Sequence, residues 1–225
     1  MTSSEVNIND KLYEEWKSFL TSDRDDLRLA AVSAVLQVRD FSGMEECVRQ
    51  GMVPLLAKNT GHPTVAVDAL QALVHLSSNG PSANQCIQDL LETSGLNRML
   101  EIVLSKPEEK RWNEKVNFAM SLLANMTRTE AGAVGLVGLS LPEEPVVRSE
   151  AASSFEGNNM PTKPTLDMLL ARFLNPAFVQ SDIQYEALEE AALDSNAEDP
   201  YQHFAAVLVN STQTEAGRRF VLKIH

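Results

Sequence analysis

One octapeptide occurs twice in this chain, and it constrains the fold more than any other feature. Asn125-Met-Thr-Arg-Thr-Glu-Ala-Gly132 returns 85 residues later as Asn210-Ser-Thr-Gln-Thr-Glu-Ala-Gly217, with six of eight positions identical. Each copy closes an apolar run of helical character, Phe118-Ala-Met-Ser-Leu-Leu-Ala before the first and His203-Phe-Ala-Ala-Val-Leu-Val before the second. Weaker relatives of those runs end at Gln37 and His75, so the anchors Gln37, His75, Asn125 and Asn210 are separated by 38, 50 and 85 residues. An interval near 40 that roughly doubles once is the mark of stacked helical repeats, whose single units cannot bury their apolar faces alone.

The pattern along the chain agrees. Gly51-Met-Val-Pro-Leu-Leu-Ala-Lys reads as a short apolar helix after a glycine break, and Asn59-Thr-Gly-His-Pro63 as the linker. Thr64 to Ser78 reads as a long helix with Val65, Ala69, Leu73 and Leu76 on one buried stripe. Asn79-Gly-Pro-Ser82 stops it, and Ala83 to Glu92 reads as a third helix. The same order is expected from Leu12 to Val38, with Thr21, Ser22 and Asp23 as N-cap candidates, from Leu96 to Met126, and from Leu166 to Ser211. By register, Leu73, Leu123 and Leu208 are expected to be equivalent core positions. No alternating strand is evident. Ser140 to Pro164, with four prolines, reads as an exposed irregular insertion, and Ser181 to Asp199 as an acidic one. The expectation is a single all-α domain over 1–225, with repeats at about 1–50, 51–94, 95–139 and 165–225 and the irregular insertion at 140–164.

Charge narrows the partners. Nineteen basic against 31 acidic residues give a formal net charge of −12, with no clustered Lys or Arg, which disfavours nucleic acid and anionic membrane. Seven carboxylates and no cation lie between Asp182 and Asp199. They read as a solvated stretch, or as a surface for a basic partner. No apolar run is long enough to span a bilayer, and the polar N-terminus lacks the features of a signal peptide, so a cytoplasmic location is expected. Cys47 and Cys86 read as small buried thiols. The four histidines and two cysteines have no metal-ligand spacing, and no phosphate loop or dinucleotide turn is present, so neither a cofactor nor a catalytic residue is expected. An enzyme with a site between helices is the rival from another class.

Gly51-Met-Val-Pro-Leu-Leu-Ala-Lys followed by Val65 to Leu76, and the helix endings Leu123-Ala-Asn125-Met and Leu208-Val-Asn210-Ser, resemble armadillo repeats. That resemblance covers nearly the whole chain and implies a right-handed α-solenoid of about four repeats. The two octapeptides, together with Asp199-Pro-Tyr-Gln-His-Phe-Ala-Ala-Val-Leu-Val-Asn210 and Gly217-Arg-Arg-Phe-Val-Leu222, are similar to the eukaryotic cytosolic armadillo adaptors that assist folding of translation elongation factor 2. The resemblance implies a non-catalytic scaffold that holds the immature elongation factor and engages general cytosolic chaperones. It further implies that third helices line a groove in which Asn side chains hold a bound backbone, since an amide offers the donor and acceptor that a peptide group needs. The expected groove residues are Gln71, His75, Ser78, Ser121, Asn125, Arg128, His203, Asn210 and Gln213. Peptide-importing armadillo proteins carry a Trp one turn before each Asn. Ser33, Gln71, Ser121 and Ala206 stand there in this chain, which weakens the alternative of a nuclear-import or signalling adaptor. Asn125 and Asn210 have a structural alternative, each capping the loop that follows it.

Overall fold

The structure, a computed structural model, describes residues 8–104, 114–142, 162–174 and 200–223. Twelve helices carry the described chain: α1 (Ile8–Leu20), α2 (Asp25–Gln37), α3 (Phe41–Arg49), α4 (Met52–Asn59), α5 (Ala66–Ser78), α6 (Ala83–Glu92), α7 (Gly95–Leu104), α8 (Glu114–Thr127), α9 (Glu130–Gly138), α10 (Thr165–Leu174), α11 (Pro200–Thr212) and α12 (Glu215–Lys223). The expected all-helical class holds, with one small addition. Strands β1 (Ser140–Pro142) and β2 (Thr162–Pro164) pair antiparallel, Ser140 opposite Pro164. They occupy the two edges of the expected insertion. Thr165 donates both its backbone N–H and its hydroxyl to the Leu139 carbonyl, each at 3.0 Å, so the chain leaves and returns at one point. The remainder of that insertion, and the acidic stretch Ser181–Asp199, lie outside the described residues.

Helix lengths recur. Among the described residues, from α3 onward, they run 9, 8 and 13 residues, then 10, 10 and 14, then 9, 10 and 13. Two members of this series, α3 and α9, were not expected from the sequence. Phe41-Ser-Gly-Met and the three glycines of Glu130–Gly138 hide their periodicity, and both helices are instead started by caps. The Asp40 carboxylate accepts the Gly43 N–H at 2.5 Å, and Thr129 Oγ1 accepts the Gly132 N–H at 3.1 Å. The expected caps of α2 are a correction. Its N-cap is Arg24, without a side-chain cap bond, while Ser22 Oγ accepts the Arg24 N–H and the Thr21 hydroxyl bonds the end of α1.

The chain divides into two compact units, Met1–Gly132 and Ala133–His225. In the first, α2 packs on α5 and α5 on α8, so the long helices form a row. Helices α1, α4 and α7 each pair with the long helix that follows. Helix α5 is gripped on several sides and fully buries Ala69, Leu70, Ala72, Leu73 and Leu76, and Val65 at its N-cap is fully buried too, so the expected stripe is included. Leu123 is likewise fully buried on α8. In the second unit Phe173 of α10 stacks on Phe204 of α11, ring centroids 4.5 Å apart. The expected equivalence of Leu208 fails, since it is only half-buried. Helix α11 buries the narrower stripe Phe204, Val207 and Ser211, and Leu208 falls beside it, about 100° further round the helix.

Both cysteines are buried, as expected. Burial pushes the Cys47 thiol up to about 11 and the Cys86 thiol up to about 12.

The octapeptide is a helix junction. In the first copy the Met126 carbonyl accepts the backbone N–H of Thr129 at 3.2 Å and its hydroxyl at 2.9 Å, and Thr129 Oγ1 then caps α9. The second copy repeats every bond. Thr214 donates to the Ser211 carbonyl at 3.2 and 2.8 Å, and Thr214 Oγ1 accepts the Gly217 N–H at 3.0 Å. The glycine follows from this closeness, because a Cβ would sit 2.1 Å from the Met126 carbonyl oxygen at Gly132 and 1.9 Å from that of Ser211 at Gly217. Glu130 and Glu215 open the next helices, where the macrodipole favours a carboxylate. Gly132→Ala should therefore cost about 1–3 kcal/mol by overpacking. Gly138→Ala, with nothing within 4 Å of the added carbon, should cost under about 0.5 kcal/mol. Urea unfolding of the two variants distinguishes a spatially required glycine from an incidental one.

Candidate functional site

The expected groove residues fall into two sets. Gln71, His75 and Ser78 lie on or at the end of α5, and Ser121, Asn125 and Arg128 on or just after α8, in the first unit. His203, Asn210 and Gln213 belong to α11 and its following turn in the second unit. Gln71 is exposed and Ser121 half-buried. Gln37, at the equivalent point of α2, is exposed and Ser33 half-buried. These four sit on the row of long helices, the two glutamines exposed and the two serines half-buried. His203 and Asn210 are half-buried and Gln213 is exposed, and the Asn210 carbonyl accepts the Gln213 N–H at 3.2 Å.

The other expected residues are committed within the fold. His75 Nε2 lies 2.6 Å from the Val38 carbonyl, at the end of α2. A carbonyl only accepts, so the ring proton belongs on Nε2. Asn125 Nδ2 donates to Ser77 Oγ at 3.0 Å, and Arg128 Nη2 donates to the carbonyls of Ser77 and Ser78 at 3.1 and 2.8 Å. The Arg128 guanidinium thus satisfies the last carbonyls of α5, where a cation also meets the negative end of the helix dipole. Ser78 Oγ donates to the His75 carbonyl at 3.0 Å. Loop capping at this junction falls to Thr129 and Thr214, so the structural alternative for Asn125 is corrected: its amide holds α5.

A third set of ties escaped the sequence. Asn59, 2% exposed, donates Nδ2 to the Leu20 carbonyl at the end of α1 and to the Leu55 carbonyl, and its Oδ1 accepts Arg28 Nη1 at 3.1 Å. Beyond it, the Thr64 hydroxyl donates to Asp25 at 2.6 Å, and His62 Nε2 stands 3.4 Å from the other oxygen of that carboxylate. The sequence separations are informative. Asn59 to Leu20 and Thr64 to Asp25 each span 39 residues, His75 to Val38 spans 37, and Asn125 to Ser77 spans 48. They lie within two residues of the anchor intervals of 38 and 50. A polar side chain buried near a helix end, one interval after another helix end, was the available signal, and Asn59 at the end of α4 carries it.

A scan against protein-family models finds no match, and no curated protein matches the chain. Among the described residues no group of His, Cys, Asp or Glu is arranged to hold a metal ion. Among them, too, no helix is long and apolar enough to cross a membrane. What the row of long helices offers chemically is the exposed amides of Gln37 and Gln71 beside the half-buried hydroxyls of Ser33 and Ser121. The committed residues should reveal themselves by stability. Asn125→Ala and Arg128→Ala should each cost about 1 kcal/mol, the usual loss for an inter-helix hydrogen bond, and Gln71→Ala under about 0.5 kcal/mol. Equal melting temperatures for all three would contradict the assignment.

Proposed function

We propose that this chain is a non-catalytic protein-binding scaffold, a right-handed α-solenoid of armadillo type. In it the triplets α3–α4–α5, α6–α7–α8 and α9–α10–α11 are successive repeats and α1–α2 belong to the repeat before them. The observation that carries this reading is the set of side-chain ties between helices one interval apart, three of them at 37–39 residues and the next at 48, because recurring offsets of this size are what stacked copies of one unit produce. The client surface is the row on α2, α5 and α8 centred on the exposed Gln37 and Gln71 and the half-buried Ser121. Carboxamides and hydroxyls there suit hydrogen bonding to an extended or partly folded chain. The absence of a Trp ladder favours varied client segments held with modest affinity over a single import signal.

By the same resemblance, the client is immature translation elongation factor 2, delivered to or received from general cytosolic chaperones in the cytoplasm, with no role for nucleic acid or membrane. The test is capture of newly synthesised elongation factor 2 from a translation reaction. Gln37→Ala with Gln71→Ala should reduce capture several-fold at unchanged melting temperature, and Glu189→Ala with Glu190→Ala should not. Full capture by the groove pair, with loss in the acidic pair, would move the surface to Asp182–Asp199 and a basic partner. Recovery of import receptors in place of chaperones would favour the import adaptor.

A further inference from the structure

Two adjoining clefts open where the α4–α5 turn meets the N-terminal ends of α7 and α8. The first, of about 410 Å³, is bordered by Lys58, Ser94, Asn97, Arg98 and Glu101. The second, of about 280 Å³, continues from Arg98 and Glu101 to Gly61 and Lys115. Among the described residues three cations and one carboxylate line the pair, in a chain whose formal net charge is −12. Glu101 offsets part of this charge, its carboxylate 3.7 Å from Arg98 Nη1 on the same helix, but both side chains are solvent-exposed and such a pair is weak enough for a partner carboxylate to replace it. Neither Lys58 nor Lys115 has an ion-pair partner among the described residues.

Arg98 bridges the two clefts by lying across Gly61. A Cβ on Gly61 would sit 1.6 Å from an Arg98 guanidinium nitrogen, so glycine is what leaves the guanidinium its place. Apolar side chains, Pro54 in the first cleft and Val116 in the second, give the floor something to pack on.

We infer that this two-lobed cleft is a docking site for an acidic segment of a partner protein, whose carboxylates pair with Lys58, Arg98 and Lys115. A small anion would fill one lobe only, whereas cations distributed along two joined lobes match carboxylates spaced along a peptide. A guanidinium placed over backbone offers a planar fork suited to a carboxylate. Its lining residues are distinct from Gln37, Gln71 and Ser121, although Lys115 and Val116 belong to α8, which also carries Ser121.

The test is fluorescence anisotropy with a labelled peptide of alternating Glu and Gly, against the full chain, with the corresponding Gln peptide as control. Saturable, salt-sensitive binding of the Glu peptide alone is expected. Lys58→Gln with Arg98→Gln and Lys115→Gln should weaken it by about tenfold or more at unchanged melting temperature. Gly61→Ala should weaken it as well, although it keeps every charge, because its methyl displaces only the flexible end of Arg98. Undiminished binding by the triple variant, or no saturable binding, overturns the inference. So does equal competition by inorganic phosphate or by a short RNA, either of which would mark a general anion surface.

Discussion

The first unit depends on one buried amide. Asn59 is 2% exposed, and its carboxamide ties three helices at once, donating to the last carbonyl of α1 and to the Leu55 carbonyl of its own α4 and accepting from Arg28 of α2. A buried polar group left without partners costs more than a hydrogen bond gains, so this site accepts one arrangement of α1, α2 and α4 and penalises the others. The apolar core cannot do this by itself. Leu, Val and Ala along α5 would pack acceptably with a neighbour slid by part of a turn, but the carbonyls that Asn59, His75 and Arg128 reach occupy fixed points.

The same division of labour runs through the octapeptide. Its Thr and Gly make a stop and restart of the helix in the space of two residues, and its Asn reaches back to the preceding long helix in the first copy. A sequence that needs this junction twice will look repeated there and degenerate elsewhere, because the apolar runs between junctions tolerate exchange. The repetition therefore reports how the chain is assembled. The proposed client surface lies elsewhere, on positions that assembly leaves free, such as Gln37 and Gln71.

Much of the fold was legible because α4, α5 and α6 carry strong apolar periods with Gly or Pro at their boundaries. Ala83–Glu92 was read to the residue. Helix α9 was not, since its three glycines resemble a loop until Thr129 is seen capping it over a close approach to α8. Leu208 was misread because register alone does not say how wide an arc of a helix is covered. The positions of Asn125 and Arg128 on the α8 end were legible, but their use was not. Whether a half-buried amide faces a client or a neighbouring helix end turns on which carbonyls lie within reach, and a linear pattern does not encode this.

The most direct test of the account is a double-mutant cycle at its centre, measured by urea unfolding. Asn59→Ala should cost about 2–3 kcal/mol, since it strands buried carbonyls and a guanidinium. Arg28→Ala should cost less, and the double variant should lose about 1 kcal/mol less than the sum of the two single losses. A loss below about 0.5 kcal/mol for Asn59→Ala, or strict additivity with Arg28→Ala, would show that apolar packing alone sets the helix row and would contradict the central role given to the polar ties.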